Sequence, residues 1–316
     1  MKHSIFTGSG TALITPMYPF DSPQKGAINF DVLEQLIEYQ ISHSTDALII
    51  AGTTGEATTL TEEEYQKLIS EAVKITNHRI PVIAGSGSNN TKTAVKRSLI
   101  AKDAGADALL IVTPYYNKTS QSGLIEYFIT CAEASELPVI LYNVPSRTGV
   151  NISPQTCLTL SKHPFITGLK DAAANFTQTM DTILLCGDNL DIYSGNDDIT
   201  VPMLSLGSKG VISVLANILP QKMHDICVFY ENGKTTESKD LQIELLPLMR
   251  ALFADVNPVP VKQALNLLGL SVGSCRSPLF KIEPAAKEKL ITALKHPEIQ
   301  KYLRLFPSFE IENLLF

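Results

Sequence analysis

The sequence predicts an α/β chain: a (β/α)8 barrel followed by a C-terminal helical region. Three observations carry this. Short runs that are apolar on both parities recur eight times, as strands covered on both faces do. Amphipathic segments at helical spacing separate them. The array spans about residues 7–232, close to the roughly 250 that a barrel needs, and the alternation stops at Gly233. An open doubly wound sheet would use the same units, but eight in unbroken succession favour closure into a TIM barrel.

The expected strands are 11–15, 47–51, 81–84, 108–113, 138–143, 166–170, 191–194 and 210–214. Between the first two, residues 30–42 place Phe30, Leu33, Ile37 and Ile41 on one face. Thr61-Glu62-Glu63-Glu64 then has the spacing of a capping box, and Leu68, Ile69, Ala72 and Val73 form the stripe behind it. Residues 90–104 read as a helix stopped by Gly105. Further helices are expected at 121–135, 154–162, 176–186, 199–206 and 220–231. Beyond Gly233, residues 234–253, 259–268 and 284–296 read as helices with no strand between them. We therefore expect a catalytic barrel over 1–232 and a helical region over 233–316. The final stretch ends in an apolar set, Phe306, Phe309, Ile311, Leu314, Leu315 and Phe316, suited to packing.

Composition narrows the function. The chain has 316 residues, 44% of them hydrophobic and 18% charged, ordinary values for a globular protein. A net charge of −6 leaves no basic footprint, so nucleic acid is not an expected partner. No apolar run approaches a membrane span, and the N-terminus lacks a hydrophobic signal core. Five widely spaced cysteines with no CxxC indicate neither a disulfide framework nor a zinc knuckle. The expectation is a cytoplasmic protein with reduced thiols. Six scattered histidines give no metal-ligand spacing, and Gly85-Ser86-Gly87-Ser88 is not followed by the Gly-Lys of a phosphate loop.

Barrel chemistry sits at the C-terminal ends of strands. After the second strand, Gly52-Thr53-Thr54-Gly55-Glu56 offers turning backbone N–H groups and two hydroxyls, a cradle for a carboxylate or else a simple turn. Thr113-Pro114-Tyr115-Tyr116-Asn117 follows the fourth strand. Its adjacent tyrosines point opposite ways if extended, unless they are plain packing. Tyr142 closes the fifth strand as a possible proton carrier. Arg147 lies just beyond, able to grip a carboxylate in bidentate fashion or to make a surface salt bridge. The sixth run, Ile166-Thr167-Gly168-Leu169-Lys170-Asp171, ends in a lysine. At the solvent edge that amine is inert. Inside a low-dielectric wall its pKa falls and it can attack a ketone as a neutral nucleophile. Asp197-Asp198 have the makings of a half-site for a cation but read better as a solvated helix N-terminus. One amine, several hydroxyls, one arginine and anion-binding backbone suit keto-acid chemistry without a metal or dinucleotide.

Gly-Thr-Thr-Gly-Glu, Pro-Tyr-Tyr-Asn and Tyr-Asn-Val-Pro-Ser-Arg-Thr-Gly, in this order, resemble the dihydrodipicolinate synthase family, part of the Schiff-base aldolase superfamily that includes N-acetylneuraminate lyase. The likeness runs from Phe6-Thr7-Gly8 through Asn257-Pro258-Val259-Pro260-Val261-Lys262. It implies Lys170 as the Schiff-base lysine, Tyr142 as proton carrier, and Thr53 and Tyr116 as relay partners. It also implies Thr53 and Thr54 as the pyruvate-carboxylate cradle, Arg147 as the contact for aspartate semialdehyde, and further substrate contacts at Gly195 and Ile212. No cofactor is implied, since pyruvate itself forms the imine. Tyr116 would reach the neighbouring subunit's site, so a dimer is required and a tetramer is usual. Arg147 also separates this pattern from sialic-acid lyases, which usually lack it.

Overall fold

A computed structural model describes residues 4–303. Its centre is a closed parallel barrel with strands in sequence order: β1 (Gly8–Ala12), β2 (Ala47–Ile50), β3 (Val82–Gly85), β4 (Ala108–Val112), β5 (Val139–Asn143), β6 (Ile166–Asp171), β7 (Asp191–Ser194) and β8 (Gly210–Ser213). β8 pairs back onto β1, with Gly8 opposite Gly210. At that closure a Cβ on Gly210 would lie 1.8 Å from the Gly8 carbonyl oxygen, and its φ of +149° also excludes most side chains.

Eight helices follow the expected order around the barrel: α1 (Phe30–Ser42), α2 (Glu62–Thr76), α3 (Thr91–Asp103), α4 (Gln121–Ser135), α6 (Pro154–Ser161), α7 (Phe176–Cys186), α8 (Thr200–Ser205) and α9 (Pro220–Glu231). The capping box at Thr61 and Glu64 is formed, each side chain meeting the other's backbone N–H. A short turn of helix after β5, α5 (Pro145–Thr148), was not foreseen. Its four residues are too few for any periodicity. α10 (Thr235–Ala251), α11 (Val259–Leu267), α12 (Pro284–Leu294) and α13 (Pro297–Leu303) complete the described chain. The helix expected over 284–296 ends early. Pro297 lacks the N–H that would continue it and instead opens α13.

Two apolar layers result. The barrel interior holds Phe6, Ile49, Ile83, Leu110, Ile140, Tyr142, Tyr193 and Ile212, with Phe6 stacked on Tyr193 at 4.5 Å. The outer layer joins the strands' other faces to the helices, and it includes Leu241, Leu245, Leu265 and Leu290 from the C-terminal helices. The helices after Gly233 thus share the barrel's outer core. All five cysteines are buried, and none is joined in a disulfide among the described residues. Among the described residues, no helix is long and apolar enough to cross a membrane. The apolar set from Phe306 to Phe316 lies outside the described residues.

The first strand corrects an expectation. It occupies Gly8–Ala12 and not 11–15. Gly8, Ser9 and Gly10 carry too little side chain to register as an apolar run. Leu13 and Ile14, which do register, lie past the strand and are buried in the outer layer.

Candidate active site

Period-two alternation along β6 sends Leu169 and Asp171 outward and Lys170 inward. Leu169 joins the outer layer, and Asp171 accepts from Thr179 Oγ1 of α7 at 2.7 Å. Lys170 is 5% exposed. The β5–β6 register places it directly beside Tyr142, with Nζ 4.4 Å from the phenol ring centroid. Burial lowers the lysine pKa to about 8, with the buried Asp197 carboxylate pulling it up and Arg147 pushing it further down. At pH 7 about one tenth of such an amine is neutral, against about three parts in ten thousand for a free lysine. Tyr142 moves the other way. Burial raises its pKa, opposed by the Arg147 charge and a hydrogen bond to the Thr53 side chain. The phenol therefore keeps its proton at neutral pH.

A cavity of about 150 Å³ lies over these groups, lined by Thr53, Thr54, Tyr142, Arg147, Lys170, Gly195, Phe253 and Asn257 among others. An adjoining space of about 240 Å³ shares Thr53, Tyr142 and Arg147 with it and reaches Tyr115. The cradle loop is sharply turned, with Ala51 and Glu56 both in the left-handed region at φ 53° and 57°. β3 makes room for it: a Cβ on Gly85 would meet the Ala51 carbonyl oxygen at 2.2 Å. Thr54 is buried and Thr53 exposed to the cavity. Glu56 is no acid of the site. Its carboxylate is buried and accepts from Lys262 Nζ at 2.7 Å and from the Arg276 backbone N–H at 2.8 Å, while Lys262 also donates to the Ser274 carbonyl.

Arg147 sits on α5 with its side chain exposed at the cavity. Among the described residues no carboxylate lies within ion-pair distance of it, and its guanidinium donates to the Asn257 carbonyl at 3.4 Å. The surface salt bridge is therefore not formed. Gly195 follows β7 and lines the cavity, where a Cβ would collide with Ala172 at 2.6 Å. Ile212 faces the barrel interior but is not part of the cavity wall; Val214, two residues on, is. Tyr116 stands apart, 88% exposed with φ at 69°, while Tyr115 faces the adjoining space.

Asp197 corrects a second expectation. It is 2% exposed and so is not at a solvated helix N-terminus. One carboxylate oxygen accepts from the Val214 and Leu215 N–H groups; the other has no partner among the described residues. The pair Asp197-Asp198 carries no sequence mark of burial, because both precede a short helix as capping acids would. Asn257 was also not singled out. It donates Nδ2–H to Thr54 Oγ1 at 3.0 Å while accepting from Arg147 through its carbonyl, so it links Thr54 to Arg147. Among the described residues no cluster of three or more His, Cys, Asp or Glu is placed to hold a metal.

This arrangement can form an imine, move protons through a protonated phenol, and hold an anion at each end. The sequence pattern of the dihydrodipicolinate synthetase family matches residues 5–297. A 4-hydroxy-tetrahydrodipicolinate synthase of Clostridium novyi is 48% identical, over 93% of this chain and 97% of that protein. The protein of the same name from Caldicellulosiruptor saccharolyticus is 50% identical, over 92% and 96%. The crystal structure of a chloride-inhibited dihydrodipicolinate synthase from Acinetobacter baumannii, complexed with pyruvate, superposes with a TM-score of 0.87 at 41% identity, covering 92% of this chain and 98% of that one.

Proposed function

The chain belongs to the dihydrodipicolinate synthetase family, and we propose that it performs the reaction of that family through a Schiff base at Lys170. The reaction is that of 4-hydroxy-tetrahydrodipicolinate synthase, the condensation of pyruvate with L-aspartate 4-semialdehyde in the diaminopimelate route to lysine. The observation that carries the reading is the buried Lys170, its pKa lowered to about 8, in register with Tyr142 beside the cavity.

The neutral Nζ adds to C2 of pyruvate, whose carboxylate lies in the Thr53–Thr54 cradle. The carbonyl oxygen leaves as water, with protons supplied through Tyr142. The iminium draws electrons from the methyl carbon, which loses a proton to become an enamine and so avoids a free enolate in water. The enamine carbon attacks the aldehyde, whose oxygen takes up a proton and becomes the 4-hydroxyl, while Arg147 holds the second carboxylate. The substrate's own amine then adds to C2 and displaces Nζ, closing the ring and regenerating Lys170. Thr53, Tyr142 and the Tyr116 of a second subunit form the proton relay to solvent, in a dimer that pairs into a tetramer. Pyruvate is the only carrier the scheme needs; no cofactor enters it. A cytoplasmic location fits substrates of this kind.

A steady-state assay of pyruvate with aspartate semialdehyde, run beside a panel of sugar-derived aldehydes, tests this. Preferred turnover of aspartate semialdehyde is expected. Preferred turnover of a sugar-derived aldehyde would make the chain a pyruvate aldolase of a different substrate class, with Arg147 gripping another anion.

A further inference from the structure

Gly52, Thr53 and Thr54 belong to the cavity wall, but they sit on a loop, and a loop holds an anion only as well as its own backbone is held. This one closes on itself through two bonds. The Glu56 N–H donates to the Thr53 carbonyl at 3.1 Å and the Ala57 N–H to the Gly52 carbonyl at 3.2 Å. The N–H groups of Thr53, Thr54 and Gly55 have no acceptor among the described residues, which leaves three successive donors, as in an anion-binding turn. The Gly55–Glu56 peptide ends that run and is gripped on both sides. Its N–H is the one bonded to Thr53. Its carbonyl accepts from Thr15 Oγ1 at 2.7 Å, across 40 residues of chain. Thr15 is 2% exposed and is not part of the cavity wall. Its own segment is anchored before and after it: the Ile14 N–H donates to Asn217 Oδ1 at 3.0 Å, and the Met17 N–H to the Val272 carbonyl at 2.9 Å. The hydroxyl is thus a fixed donor set against a loop that has no regular structure to hold it. Rotation of the Gly55–Glu56 peptide would break both of its bonds and release the turn that lines up Thr53 and Thr54.

We propose that Thr15 is a positioning residue for pyruvate: by holding the Gly55–Glu56 peptide, it keeps Thr53 and Thr54 in place to receive the carboxylate. The proposal rests on the Thr53–Thr54 cradle of the functional reading above and adds to it a residue that acts through the loop without touching substrate. A carboxylate is held alike before and during the chemistry, so loosening its cradle raises KM and spares kcat. No covalent step is involved.

The test compares the unaltered protein with Thr15 variants in two assays. Exchange of the pyruvate methyl protons with solvent reads pyruvate alone, and steady-state turnover reads aspartate semialdehyde. Thr15→Val keeps the shape of the side chain and removes the donor. It is expected to raise the pyruvate KM about three- to tenfold, the net effect of one lost hydrogen bond, with the maximal exchange rate and the aldehyde KM little changed. Thr15→Ser, which keeps the hydroxyl, is expected to stay near the unaltered protein. Thr15→Ala set against Thr15→Ser repeats the comparison at smaller volume should the valine variant not fold. Unfolding midpoints are measured alongside. A pyruvate KM that does not move on loss of the hydroxyl, whatever the midpoint does, overturns the proposal and leaves Thr15 a packing residue. So does an equal rise in both substrates' KM, or a rise in Thr15→Ser matching that in Thr15→Val. If the unaltered protein neither exchanges the methyl protons nor turns over aspartate semialdehyde, the functional reading fails instead, and the two failures are distinct.

Discussion

The low pKa of Lys170 comes from its surroundings. Burial lowers its pKa to about 8, and Asp197, also buried, limits the fall. Under the proposed mechanism the amine becomes competent as pH rises through its pKa, so the rate of imine formation is expected to increase toward pH 8 and to level above it. Asp197→Asn removes the opposing charge while leaving an oxygen for the Val214 and Leu215 N–H groups. The midpoint of a pH profile of pyruvate-dependent reductive trapping is expected to move to lower pH; an unmoved midpoint would leave Asp197 a purely structural acceptor. Arg147→Ala is expected to weaken the aldehyde's kcat/KM by about 2 kcal/mol, the lower end for a truncated charge partner because the guanidinium is exposed, with the KM for pyruvate little changed. Equal weakening of both substrates would show Arg147 to be structural. At this scale the strand-end lysine, the tyrosine and the arginine were readable in the sequence, since each follows an apolar run. Asp197 and Asn257 were not. Their roles come from burial and from contacts across 17 and 203 residues of chain, which no local pattern records.

The elements matter through the cradle loop. Its left-handed Ala51 and Glu56 are held from outside the barrel by Glu56 paired with Lys262 of α11, both side chains nearly inaccessible to solvent. A buried pair of this kind adds little over an apolar substitute, but breaking one partner strands the other. Lys262→Met alone is expected to cost about 3–5 kcal/mol in denaturant unfolding, and the double variant Glu56→Gln with Lys262→Met distinctly less. Equal losses in the two would remove the coupling. Helices were legible almost to the residue where a cap marks them, as with Thr61 and with Asn29, whose side chain accepts from the Val32 N–H. β1 was displaced because glycine and serine hide a strand from an apolar count. Gln40 lies fully buried on the apolar face of α1, donating to the Ala216 carbonyl and accepting from Thr11, and a period-based reading has no way to anticipate it.

For the whole molecule, the closed barrel follows from eight consecutive βα units, which is why the architecture could be read in advance. Whether and how copies of the chain pair could not, because it depends on surfaces and not on periodicity. Tyr116 is 88% exposed and held at positive φ, away from the cavity of its own chain. If it completes the site of a second copy, two inactive variants complement each other. Subunits bearing Lys170→Ala, mixed and exchanged with subunits bearing Tyr116→Phe, form hybrid dimers with one intact site in two. Statistical mixing then returns about a quarter of the unaltered activity. No recovery beyond the sum of the separate variants would place the relay within one chain.

Covalent attachment of pyruvate to Lys170 can be tested on the unaltered protein. The protein is incubated with pyruvate, reduced with borohydride, digested and mapped by mass. A single adduct on the peptide containing Lys170, formed only when pyruvate is present, is the predicted result. An adduct on the surface residue Lys209 or on Lys262, whose ammonium is paired with Glu56, with Lys170 unmodified, would contradict it.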